Sequence, residues 1–386
     1  MRKKSPIRIP VANSDVSGNE EKYVVDAIRS SWISSTGKYL DRFEREFAEL
    51  CNTRTSIGVC NGTVALHLAL LGLDVGAGDE VIVPSLTYIA TANAVRYLGA
   101  EPVFVDVDPA TWCIDPDKVE AAITERTKAI IAVHLYGHPA DMDRINAIAA
   151  KHNLKVVEDA AEAPLATYKG KPVGGLASVA TFSFFGNKLF TCGEGGALTV
   201  NDPDLEKRIR LLRGQGMDPD RRYWFPVTGY NYRLTNVCAA MLCAQLERRD
   251  EIMSRRLAIY EAYSSHLSAV TGIGLQPQAE WATISPWLFC ITVDEAHSGI
   301  DRDSLMGWLL EREIDTRPFF IPLHTMPPFI DQSKARGDNL PHTTALGCSG
   351  INLPTYTQMK MDEVSAVCEA IKVASRINLN SVRSRD

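Results

Sequence analysis

The chain has 386 residues, 45% hydrophobic and 23% charged, with a formal net charge of −6. That length exceeds one small core and suits a large domain with a smaller one. The acidic balance gives no electrostatic basis for nucleic acid or an anionic membrane as partner. No run approaches the roughly 18 apolar residues of a membrane span. The basic start, Met1-Arg-Lys-Lys, is not followed by an apolar signal core. Nine cysteines are scattered without paired or zinc-ligand spacing, so a reducing, cytoplasmic setting and no metal are expected.

In chain order, Ser17 to Ser30 and Lys38 to Leu50 read as amphipathic helices, the second with a Tyr39, Phe43 and Phe47 stripe. An alternation follows. Strand-like Ser56 to Val59, Glu80 to Val83, Pro102 to Val107, Lys128 to Leu135 and Leu154 to Val157 are separated by helices. Those helices are placed at Thr63 to Leu71, Tyr88 to Tyr97, Pro116 to Ile123 and Asp141 to His152. Short β-branched runs alternating with helices imply an α/β fold with a mostly parallel sheet covered on both faces. A further apolar strand, Ala197 to Val200, follows a glycine-loaded turn. Thr235 to Leu267 reads as one or two long helices. Strand-like Trp287 to Val293, a helix at Asp303 to Arg312, Pro-rich Thr316 to Phe329 and a helix at Met361 to Ser375 close the chain before a polar tail. A domain boundary near 245 divides a large domain, 9–245, from a smaller one, 246–386.

Ligand sites in such sheets lie beyond the carboxyl ends of the strands. Asn61-Gly62-Thr63, Ser85 to Tyr88, Asp159 and Lys188 all fall at or just after strand ends, which argues for one shared site. Lys188 near a strand-end aspartate suggests a Schiff base to pyridoxal 5′-phosphate (PLP), with the acid on the pyridine nitrogen. A plain surface lysine in a turn is the competing reading. Asn61-Gly62-Thr63 either caps a helix or offers its N–H groups to a phosphate, and Ser183 is placed to add a hydroxyl. Tyr88 either stacks on a flat heteroaromatic or packs at a helix start. Asp159 meets either a pyridinium N–H or a structural ion pair. His134 and His138 lack carboxylate or cysteine partners at ligand spacing and read as core or supporting histidines.

Taken together, Asn61-Gly-Thr-Val-Ala-Leu-His-Leu-Ala-Leu70, Pro84-Ser-Leu-Thr-Tyr-Ile-Ala-Thr-Ala-Asn93, Glu158-Asp-Ala-Ala-Glu-Ala163, Ser183-Phe-Phe-Gly-Asn-Lys188 and Gly229-Tyr-Asn-Tyr-Arg-Leu-Thr-Asn236 resemble the DegT/StrS-like sugar aminotransferases. The resemblance runs colinearly from about Ile9 to about Ile371. It implies a fold-type I PLP-dependent transferase, with a seven-stranded large-domain sheet and a smaller C-terminal α/β domain. By position it makes Lys188 the cofactor-bound lysine and Asp159 the partner of the pyridine nitrogen. It places Tyr88 over the ring, and Gly62, Thr63 and Ser183 at the phosphate. Glu162 falls where the family varies between Gln, Glu and His, near the cofactor hydroxyl. Asn231 resembles an asparagine reaching the phosphate from the neighbouring subunit, which implies a homodimer with shared sites. A dehydratase branch replaces the lysine with histidine; this chain keeps lysine.

The implied reaction is ping-pong transamination, with L-glutamate as donor, a nucleotide-linked 4-keto-6-deoxy sugar as acceptor and pyridoxamine 5′-phosphate as the cofactor form between the halves. Trp32-Ile-Ser-Ser, Ser183-Phe-Phe-Gly-Asn-Lys188, Arg222-Tyr-Trp-Phe and Pro322-Leu-His-Thr-Met-Pro-Pro328 are similar to the branch that aminates GDP-4-keto-6-deoxymannose for O-antigen-type glycans. Leu189-Phe190 and Cys192 depart from that branch. A UDP- or dTDP-linked substrate, or a non-catalytic PLP-binding regulator, is the alternative. Arg317, Phe319 and His324 are candidates for meeting nucleotide or sugar. Arg233 is a candidate for the donor carboxylate or a structural ion pair, and Trp224 and Phe225 line the sugar site or merely pack.

Overall fold

A computed structural model of the chain describes residues 7–377. The first six residues and most of the expected polar tail lie outside the described residues. The expected alternation forms a seven-stranded sheet. In spatial order its strands are Thr55–Val59, Gly196–Val200, Val179–Ser183, Lys155–Asp159, Thr127–Val133, Glu80–Pro84 and Glu101–Val105. Only Gly196–Val200 runs against its neighbours. The near-continuous burial along these strands follows from helices covering both faces.

Some boundaries differ from the sequence reading. The helix expected from Tyr88 begins at Ala90, leaving Tyr88 in the loop after Pro84. The strand expected to reach Leu135 ends at Val133, because Tyr136 adopts a left-handed backbone (φ 51°) inside a short 3-10 turn. Thr235 to Leu267 splits at Arg248 into Asn236–Glu247 and Arg249–Leu267. The first of these packs with Phe43 and Phe47 against Phe182 and Phe184. The second packs Ile259, Tyr263 and Leu267 against Phe289, Ile291 and Ile351.

Those last residues belong to a four-stranded antiparallel sheet ordered Ile273–Leu275, Phe289–Val293, Gly350–Leu353 and Arg317–Pro318. Buried Arg256 ties this region together, its guanidinium donating to the carbonyls of Trp287 and Thr355. Among the described residues no helix is long and apolar enough to cross a membrane.

Candidate active site

The carboxyl ends of the parallel strands converge on one cavity of about 510 Å³. The antiparallel strand Gly196–Val200 explains how Lys188 gets there. Ser183 pairs with Gly196, and Gly196 with Val59, so the 184–195 connection is a loop crossing the strand ends. A side chain at Gly196 would put its Cβ 2.6 Å from the Asn61 carbonyl carbon, so only glycine lets this strand reach the start of the next helix. The loop is fixed from both sides. Ser14 Oγ donates to the Gly186 carbonyl at 2.5 Å, and Trp287 Nε1 donates to the Asn187 carbonyl at 2.8 Å.

At one end of the cavity, Asn61 Oδ1 accepts from Val64 N at 3.0 Å and caps the helix Gly62–Gly72. Capping and ligand binding prove compatible. The first two N–H groups, of Gly62 and Thr63, have no intrahelical acceptor, and both residues line the cavity. The helix start lies so close to the sheet that a Cβ on Gly62 would sit 2.8 Å from Ser183 Cβ. Backbone donors and the Ser183 side chain therefore share one corner, with the helix dipole favouring an anion there.

Deeper in, Asp159 is buried. Thr91 Oγ1 donates to its Oδ2 at 2.8 Å, and Ala161 N to its Oδ1 at 3.3 Å. Burial raises its pKa, opposed by the Thr91 and Ala161 bonds and by Lys188. The preceding Glu158 points to the opposite side of the strand, where it accepts from Gly174 N, Leu176 N, Ala177 N and His134 Nε2. His134 Nδ1 accepts from Ala140 N at 3.0 Å, and His134 N donates to the Asp159 carbonyl at 3.0 Å. His134 therefore supports the strand end, while His138 bonds Pro139 O and Ala279 N.

Lys188 Nζ lies 3.9 Å from the Trp287 ring centroid and 3.8 Å from Glu162 Oε1. Burial lowers the lysine pKa, with Glu162 and Asp159 pulling the other way. Burial also pushes Glu162 up to about 7, despite Lys188 and the 2.7 Å bond from Tyr136 N. A poised amine, an acid near neutrality and a buried carboxylate thus line one chamber, a setting for proton transfer.

Gly62, Thr63, Tyr88, Asp159, Glu162, Ser183, Lys188 and Arg317 are brought together as cavity lining. Tyr88, 60% exposed, lies 6.0 Å from the Phe320 ring. Phe319 faces away, packed on Tyr136 and Trp112, and Phe320 takes its place in the wall. His324 Nδ1 bonds Ser85 Oγ at 2.8 Å outside the lining. Trp224 and Phe225 lie exposed on a loop away from the cavity. Asn231 is exposed, its Oδ1 accepting from Arg233 Nη2 at 3.3 Å; neither residue lines this chain's cavity. Thr91, Trp287, Phe185, Asn187, Glu194 and Asn352 also line it, although sequence reasoning did not single them out.

The residues present fit PLP: an anion corner, a desolvated lysine and a buried carboxylate in one cavity. With the sheet topology, they define a PLP-dependent aminotransferase of fold type I. The chain belongs to the DegT/DnrJ/EryC1/StrS aminotransferase family, which matches residues 14–372. It is 48% identical over 370 residues to GDP-perosamine synthase of Caulobacter vibrioides, covering 95% of this chain and 99% of that protein. Identity to GDP-perosamine synthase of Escherichia coli O157:H7 is 44% over 363 residues, 94% of this chain and 97% of that one. The crystal structure of S. venezuelae DesV in complex with a ketimine intermediate superposes with a TM-score of 0.89 at 36% identity, covering 96% and 99% of the two chains.

Proposed function

We propose that this enzyme moves an amino group from L-glutamate to the C4 ketone of GDP-4-keto-6-deoxy-D-mannose, giving GDP-perosamine for glycan assembly such as O-antigen. The observation that carries the substrate is the 48% identity to a GDP-perosamine synthase along nearly the full length of both chains.

PLP, when bound, supplies an aldehyde that takes up the amino group and a ring that withdraws electrons from the reacting carbon. Lys188 Nζ holds the cofactor and, once displaced, moves a proton to and from the carbon that carries nitrogen. Its burial keeps more of the amine in the free-base form this role needs. Asp159, oriented by Thr91 and Ala161, keeps the pyridine nitrogen protonated. Gly62, Thr63 and Ser183 would hold the phosphate, and Tyr88 would cover the ring. Glu162 would meet the ring hydroxyl, and its carboxyl, 3.8 Å from Lys188 Nζ, acts on the charge of the amine. Trp287 walls the lysine from water. Asn231, exposed and outside its own chain's cavity, reaches the phosphate of a second subunit in a homodimer.

Two absorbance steps test this reading. L-glutamate shifts the bound cofactor from its aldehyde-derived band to that of its amine form, and GDP-4-keto-6-deoxymannose restores the first band with release of the amino sugar. A cofactor spectrum indifferent to glutamate would leave the non-catalytic alternative standing.

A further inference from the structure

The charged side chains lining the cavity are Lys188 and Arg317 against Asp159, Glu162 and Glu194. Lys188 is taken up by the cofactor, and a phosphate adds further negative charge. A donor carrying two carboxylates then enters a chamber whose one remaining cation, among the described residues of this chain, is Arg317. That residue sits exposed on the edge strand Arg317–Pro318, opposite Asn352, which also lines the cavity. Asn352 Nδ2 donates to the Pro318 carbonyl at 3.4 Å and anchors the strand. No carboxylate in the described residues lies within ion-pair distance of the Arg317 guanidinium, unlike Arg210, Arg213 and Arg248, which are all paired. Among the described residues its guanidinium donors have no hydrogen-bond or ion-pair partner.

We propose that Arg317 binds the carboxylate next to the reacting carbon of the amino donor, an assignment that rests on the aminotransferase reading above. In an amino acid donor this carboxylate is one bond from the carbon whose proton Lys188 moves, so its binder must share the chamber with Lys188. The diphosphate of a nucleotide sugar is attached at C1, across the ring from the C4 ketone, and extends farther out. A guanidinium grips a carboxylate through two parallel N–H···O bonds and never loses its charge. The Arg317 charge also reaches Lys188, where it helps depress the amine. Arg233, the donor-carboxylate candidate from sequence, lies outside this chain's own cavity and bonds Asn231, so in the proposed homodimer it accompanies Asn231, whereas Arg317 shares the chamber of its own chain's Lys188.

The test follows the two half-reactions separately, by cofactor absorbance, in wild type, Arg317→Ala and Arg317→Lys. Starting from the PLP form, Arg317→Ala raises the half-saturating L-glutamate concentration about tenfold to a hundredfold, the range for a charged hydrogen-bonded pair. Arg317→Lys, which keeps the charge but not the fork, raises it less. Starting from the pyridoxamine phosphate form, the half-saturating nucleotide sugar concentration stays within about threefold in both variants. The preference for L-glutamate over 4-aminobutyrate, which lacks a carboxylate beside its amine, narrows in Arg317→Ala. Retention of the bound-cofactor band shows that the variants fold. Unchanged glutamate saturation, or an equal rise for both substrates, overturns the assignment. A wild-type spectrum that ignores glutamate instead rejects the aminotransferase reading, so the two failures are distinguishable.

Discussion

At the scale of single residues, desolvation sets the chemistry of the chamber. Burial pushes Glu162 up to about 7 from an ordinary 4.5. The folded state therefore holds this proton at pH values where the unfolded chain has released it. Stability from this group is intact below about pH 4.5 and is eroded as pH rises toward 7. Glu162→Gln cannot ionise, so in cofactor-free protein its melting temperature should gain on that of wild type across this window. Thermal melts at matched ionic strength check this, and parallel profiles would show that Glu162 does not titrate there. Asp159 was legible because a charge ending an apolar strand needs a reason. Its supporting Thr91 was not, being one small residue within Ala90–Arg96. Trp287 likewise gave no local signal, since its place over Lys188 comes from packing between segments about a hundred residues apart. Phe319 and Phe320 are adjacent in a segment without strand alternation, so pattern alone did not decide which ring faces the cavity.

At the scale of elements, the anion corner depends on the first turn of Gly62–Gly72 lying against Ser183. Gly62→Ala would force its new Cβ against Ser183 Cβ, 2.8 Å away, and shift the N–H groups proposed to meet the phosphate. The expected result is PLP binding weakened by about tenfold or more, roughly the worth of one charged hydrogen bond. In melts at fixed PLP, this appears as a smaller cofactor-induced rise in melting temperature than in wild type. An undiminished rise would place the phosphate elsewhere. The parallel sheet was readable because its strands are β-branched runs of five to seven residues between helices. The small sheet was mostly hidden. Its strands at Ile273–Leu275 and Arg317–Pro318 have three and two residues, too short for any periodicity to register. The break at Arg248 was only partly legible: residues on both sides favour helix, so one helix or two stayed open, and the split follows from packing onto separate cores.

At the scale of the whole molecule, Trp32, Tyr223, Trp224 and Phe225 are each at least half exposed, and Asn236, five residues beyond Asn231, donates to the Trp32 carbonyl. This arrangement accords with the proposed homodimer, in which each site takes Asn231 from the neighbouring subunit. Mixed subunits check that arrangement. Lys188→Ala and Asn231→Ala should each be severely impaired alone. Co-refolded in equal amounts, they should recover about a quarter of wild-type activity, because half the dimers are mixed and each mixed dimer has one intact site. No recovery would mean that each chain completes its own site. The substrate is the widest claim, and comparison of nucleotides tests it most directly. Purified enzyme with PLP and L-glutamate is offered the GDP-, dTDP- and UDP-linked 4-keto-6-deoxy sugars in parallel, and amino-sugar formation is measured by mass spectrometry. The account predicts turnover with the GDP sugar in clear preference to the other two. Turnover with only the dTDP or UDP sugar would contradict it.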